Sequence, residues 1–200
     1  MRFFLIAFTI LSASVSAQAQ IKKVVLVGDS LTEGFGVSRE RAYPALLQQK
    51  IDRAGKRWRV INSGISGSTA ASAASRVEWV LKQKPQLIIL ALGANDGLRG
   101  TPVKNIEENL GKAITIAQKA GVKIILAGIK LPPNYGKAYT GDFWAIYPRL
   151  SKRFGVPLIP FLLDRVAGQP DLNLADGIHP NEKGHAIVAE TVFRAIEKLL

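Results

Sequence analysis

Residues 22–27 read KKVVLV, and residues 28–34 continue GDSLTEG. The first stretch is β-branched and apolar without alternation, and a glycine stops it. Such a run predicts a short strand covered on both faces, as in a parallel sheet. Outward from it, similar runs recur at 58–61 (WRVI), 86–92 (QLIILAL) and 123–129 (KIILAGI), with a shorter one at 156–159. Between them the apolar residues fall at helical spacing. Leu47, Ile51 and Ala54 make one stripe. Ala70, Ala73, Val77, Val80 and Leu81 make the next. Val103, Ile106, Leu110, Ala113, Ile114 and Ala117 make a third, residues 139–154 a weaker fourth. Val188, Val192, Ile196 and Leu200 step by four in the last, beside Ala189 and Phe193. Alternating strand and helix predicts a single three-layer α/β/α domain with a parallel sheet and right-handed crossovers.

Residues 1–19 carry a different signal. Arg2 supplies a positive start, residues 3–11 an apolar run, and Ala17-Gln18-Ala19 a small-residue cleavage pattern. The apolar run is shorter than the about 20 residues a bilayer span needs. We read residues 1–19 as a cleaved signal peptide and 20–200 as the mature domain, periplasmic or secreted. The chain has no cysteine. Disulfides, thiolate metal sites and a cysteine nucleophile are therefore excluded.

The formal net charge is +12. No nucleic-acid module pattern accompanies it. It reads either as a solvated basic surface or as attraction to anionic lipid.

Ligands of open α/β sheets bind beyond the carboxyl ends of the strands. Four segments lie there: residues 28–34, residues 62–69 (NSGISGST), residues 93–97 (GANDG) and residues 176–181 (DGIHPN). Together they hold the parts of a serine hydrolase. Ser30 can attack an acyl carbon if a base removes its proton. Of the two histidines, His179 sits in an irregular segment before the last helix. His185 lies in that helix's first turns and reads as a partly exposed surface residue. Asp176, three residues before His179, would share a face with it in one helical turn. It can then accept the Nδ1–H and leave Nε2 for Ser30. The backbone N–H of Ser30, the N–H of Gly64 and the amide of Asn95 are candidate oxyanion donors. No pair of histidines has metal-ligand spacing, so neither metal nor cofactor is expected.

These four segments, in this order, resemble the SGNH (GDSL) hydrolase family. Residues 95–100 (NDGLRG) and 131–136 (LPPNYG) resemble its thioesterase I, arylesterase and lysophospholipase branch. The resemblance implies a flavodoxin-like five-stranded sheet of order 2-1-3-4-5. It implies a metal-free mechanism through an acyl-enzyme on carboxylic esters, acyl thioesters such as acyl-CoA, and lysophospholipids. Ser30, Gly64, Asn95 and His179 take the places of the four named residues, with Asp176 completing the triad. Ala94 departs from that branch, which usually has glycine there.

Leu98, Pro102, Ile129, Leu131, Pro133, Tyr135 and Ile178 are apolar residues near the expected rim and candidates for an acyl wall. Arg99 is a candidate for a phosphate or CoA head group. Gly97 and Gly100 flank Leu98-Arg99, so that segment could act as a lid. Two other functions fit parts of the pattern. One is a carbohydrate O-deacetylase of envelope sugars, which would share the triad. The other is a non-catalytic module binding phosphate or nucleotide at helix N-termini, although no P-loop or G-x-G-x-x-G pattern supports it. A monomer is expected.

Overall fold

The computed structural model describes residues 21–200, so the signal-peptide reading of 1–19 lies outside the described residues. Strand β1 (Lys22–Gly28) is the hub. It pairs in parallel with β2 (Trp58–Gly64) on one side and β3 (Leu87–Ala91) on the other, and β4 (Lys123–Ala127) and the short β5 (Leu158–Ile159) follow. The order is β2-β1-β3-β4-β5, the one the resemblance implies. Val24 to Val27 are fully buried, as are Leu87 to Leu92, which explains their unbroken apolar sequence.

Helices α2 (Tyr43–Arg53) and α7 (Glu182–Ile196) pack together on one face. Helices α3 (Ala73–Leu81), α5 (Val103–Lys119) and α6 (Lys137–Phe154) form the other layer. The two remaining helices, α1 (Ser30–Glu33) and α4 (Ala94–Leu98), are single turns directly after β1 and β3. The stripes read from the sequence face the core, with Leu81, Val103, Phe193 and Leu200 half-buried at their ends or margins. Ala54 is exposed, because α2 ends at Arg53 and Ala54 only caps it.

Strand β2 runs through Gly64, three residues past the WRVI run. At the sheet edge its outer face meets solvent, so the polar Asn62 and Ser63 can continue the pairing with Leu26 and Val27. The loop after β2 therefore starts at Ile65. That shift matters for the site.

Candidate active site

Ser30 opens α1 directly beyond β1. Asp29 caps that helix, its Oδ1 accepting the Leu31 N–H at 3.0 Å. Gly34 ends it in the left-handed region, and the N–H groups of Gly34 and Phe35 both donate to the Ser30 carbonyl. The nucleophile candidate thus sits in a turn tied at both ends.

Asp176 and His179 come from the loop between a 3₁₀ turn (Pro170–Leu172) and α7. This loop is not the helical turn expected for it. Gly177 holds φ +69°, and Asp176 Oδ1 accepts the N–H groups of both Ile178 (2.9 Å) and His179 (3.0 Å). The result is an Asx-type turn. Its second oxygen, Oδ2, lies 2.7 Å from His179 Nδ1, and His179 Nε2 lies 2.9 Å from Ser30 Oγ. Burial pushes the Asp176 carboxyl up. The backbone and ring N–H groups of His179 and the Ile178 N–H outweigh that, and hold it below its ordinary value.

The loop is anchored from beneath. Asn173 donates to the carbonyls of Val166 and Gln169. Asn181 caps α7 by accepting the N–H groups of Lys183 and Gly184. The His179 carbonyl accepts the Leu174 N–H at 2.8 Å, and the Phe35 ring lies 4.6 Å from the imidazole.

The expectation for Gly64 is corrected. Its N–H donates to Asn62 Oδ1 at 2.9 Å, and it does not line the cavity beside Ser30. It is glycine for another reason. A Cβ there would sit 2.1 Å from the Glu33 backbone nitrogen, where α1 crosses the end of β2. Gly67 occupies the cavity wall instead. Among the described residues, the N–H groups of Ser30 and Gly67 have no acceptor. Two ties hold the Gly67 loop. Glu33 accepts the N–H and hydroxyl of Ser66, and Asp96 Oδ2 accepts the Ala70 N–H at 2.7 Å. Asn95 lines the same cavity and spends one amide hydrogen on the Ser68 carbonyl, leaving the other free. The sequence does hold a sign of Gly67: it stands within the segment 62–69, and only an accurate end for β2 puts it in place of Gly64.

The cavity has a volume of about 570 Å³. Leu98, Leu131, Pro133, Ile178 and Ile129 line it, and so does Ala94. Arg99 and Tyr135 do not, and neither does Pro102. Arg99 is exposed at the solvent end of α4, and Tyr135 is exposed in a 3₁₀ turn. Sequence reasoning missed Phe35, Phe161 and Leu163, which complete the apolar wall from loops beyond β1 and β5.

His185 is also corrected. It is buried, 1% exposed, and its Nδ1 accepts the Tyr43 N–H at the start of α2. Burial, then the neighbouring His179, pushes it down to about 4, so it stays neutral and structural.

A half-buried arginine and a buried aspartate underlie the turn that carries Ser30. Arg76 of α3 donates to the carbonyls of Gly28 (2.7 Å) and Ser63, which pins the ends of β1 and β2 together. Asp29 is 1% exposed, and its Oδ2 has no partner. Burial raises its carboxyl to about 6, against the Leu31 N–H and the positive charges nearby. A raised carboxyl favours the folded state at low pH and loses that advantage as pH climbs through about 6. A rise of that size is worth about 3 kcal/mol. Asp29→Asn removes the titration. Relative to the natural chain, the variant should gain stability between about pH 4 and pH 7, by up to about 3 kcal/mol. Urea unfolding across that range reads the difference, and a pH-independent difference would count against this account.

The sequence pattern of the GDSL-like Lipase/Acylhydrolase family matches residues 26–187. An arylesterase of Vibrio mimicus is 38% identical over 197 residues, covering 98% of this chain and 97% of that protein. Thioesterase 1/protease 1/lysophospholipase L1 of Escherichia coli K12 is 36% identical, covering 88% and 84%. The crystal structure of TesA superimposes with a TM-score of 0.86 at 35% identity, covering 90% of this chain and all of that one.

Proposed function

The chain belongs to the GDSL-like lipase/acylhydrolase family, and on that premise we propose how this ester and thioester hydrolase works. The observation that carries the mechanism is the relay of two short contacts, 2.7 Å from Asp176 to His179 and 2.9 Å from His179 to Ser30. Ser30 Oγ attacks the acyl carbon while His179 Nε2 takes its proton. Asp176 fixes the tautomer and stabilises the imidazolium. The carbonyl oxygen becomes an oxyanion, received by the N–H groups of Ser30 and Gly67 and the free amide hydrogen of Asn95. Collapse expels the alcohol or thiol, which takes the proton from His179, and leaves an acyl-enzyme. Water, activated by the same imidazole, then releases the acid.

The apolar wall supports acyl chains as the recognised group. Leu31, Ile129, Leu131, Phe161 and Leu163 offer each buried CH₂ about 0.8 kcal/mol. This wall favours aryl and acyl esters, acyl thioesters and lysophospholipids over a sugar O-deacetylase. A phosphate-binding module would leave the relay without a use. All the groups come from one chain, so the site is complete in a monomer. The segment 1–19 directs export by the pattern in its sequence. The excess positive charge attracts the protein to anionic lipid, by a face derived below.

A fluorophosphonate should bond to Ser30 alone, read by peptide mass spectrometry. A series of p-nitrophenyl esters should show kcat/KM rising with acyl length until the cavity is filled. Labelling at another residue, with Ser30 free, would overturn the mechanism.

A further inference from the structure

The positive charge is unevenly placed. The amino ends of the strands and the carboxyl ends of the long helices share the pole opposite Ser30. Lys22, Lys56, Arg57, Lys84 and Lys123 stand at or just before β1 to β4 and are exposed. Lys119, Lys152, Arg153 and Lys198 add the ends of α5, α6 and α7, also exposed. Among the described residues none of these is in an ion pair, whereas Lys50 and Arg194 of the same face are both taken by Glu190. Besides Glu190, the side-chain carboxylates at this pole are Asp52, Glu78 and Glu197. Helices α2, α3, α5, α6 and α7 also end here, each bringing roughly half a negative charge. The excess of cations over carboxylates is larger than that. Around the active-site mouth the signs are mixed: Glu33, Asp164 and Asp176 face Arg39, Lys130 and Arg165.

A cleft of about 570 Å³ opens in the middle of the basic pole. Lys22, Lys84 and Lys123 border it, with apolar walls from Trp58, Pro85 and Leu199. The Trp58 ring is 7% exposed, its Nε1–H donates to the Leu200 carbonyl, and Lys22 Nζ stands 5.4 Å over it. A surface for single-stranded nucleic acid would present aromatic faces for stacking bases, and this ring is occupied. A phosphate head group needs only the lysines and a shallow apolar wall.

We propose that this pole is a docking surface for anionic phospholipid bilayers, with a lipid phosphate seated between Lys22, Lys84 and Lys123. Strand β1 has seven residues and separates the two poles by about 20 Å. Docked this way, the protein keeps its catalytic mouth turned to the aqueous side. The proposal does not depend on the reaction, because the Ser30→Ala chain should dock equally well.

The test is sedimentation with vesicles of phosphatidylcholine and phosphatidylglycerol in equal parts, against vesicles of phosphatidylcholine alone. Binding is expected to the mixed vesicles only, and to vanish near 1 M salt, where screening shortens to about 3 Å. Neutralising Lys22, Lys84, Lys119 and Lys123 to glutamine should weaken partitioning by about fivefold per lysine. Hydrolysis of a soluble p-nitrophenyl ester should stay unchanged, which also shows that the variant is folded. Neutralising Arg39, Lys104, Lys137 and Lys183 near the other pole should leave partitioning as it was. Equal binding to both vesicle types would overturn the proposal. So would full binding by the Lys22, Lys84, Lys119, Lys123 variant, or tighter binding to duplex DNA than to mixed vesicles at the same salt.

Discussion

Replacing Ser30 by alanine should lower kcat on a p-nitrophenyl ester by about 10⁵- to 10⁶-fold, the scale on which removing a triad nucleophile acts. The hydroxyl's one partner among the described residues is His179 Nε2. Asp29, not Ser30, caps the turn, so the fold should survive the change. The cavity wall is untouched, so KM should move little while kcat collapses. A residual rate about 10³-fold above water should remain from the oxyanion donors and substrate positioning. Stopped-flow on the natural chain should show the acyl-enzyme burst wherever deacylation limits turnover, and the variant should show none. A variant within tenfold of the natural rate would mean that another group attacks.

Asp176→Asn should cost about 10⁴-fold in kcat. The geometry makes this a sharp test. The Oδ1 position already accepts two backbone N–H groups, at 2.9 and 3.0 Å, so the asparagine oxygen is held there. The new NH₂ must then face His179 Nδ1 from the place Oδ2 leaves. A donor opposite Nδ1 forces that nitrogen to accept and moves the ring proton to Nε2. Nε2 can then no longer take the Ser30 proton. The backbone of the turn stays as it was, so unfolding and substrate affinity should hardly change. A loss below tenfold would show that Asp176 does not set the tautomer.

Much of this was legible in the residues. Unbroken apolar runs mark the inner strands because both their faces are buried, and residues 87–92 are the plainest case. The edge strand was read too short for the complementary reason: Asn62 and Ser63 sit half exposed, so their polarity hides the pairing. The true end of β2 puts Gly67, not Gly64, in the cavity wall beside Ser30. The pairing of His179 with Asp176 is readable because the two are three residues apart and their contact is local. His185 carried an overlooked sign. It precedes Val188, Ala189 and Val192 by three, four and seven residues, which puts it on the buried stripe of α7. Helix α6 read weakly because Pro148 lies inside it. Phe161 and Leu163 could not be placed, since their role depends on where the chain returns after a two-residue strand. The functions of Arg76 and Asp96 are likewise tertiary. Each satisfies backbone groups distant in sequence, strand ends for Arg76 and the loop at Ala70 for Asp96, a pairing without local pattern.

The Asx-type turn at residues 176–179 has an architectural consequence. Imidazole and carboxylate travel as one cartridge, latched from below by two asparagines, and any rigid displacement of that cartridge preserves their mutual alignment. The relay therefore has a single joint that tertiary motion can open, the gap to the serine hydroxyl. A motion that opened this gap would act as a clutch, parting the hydroxyl from an imidazole still aligned with its carboxylate.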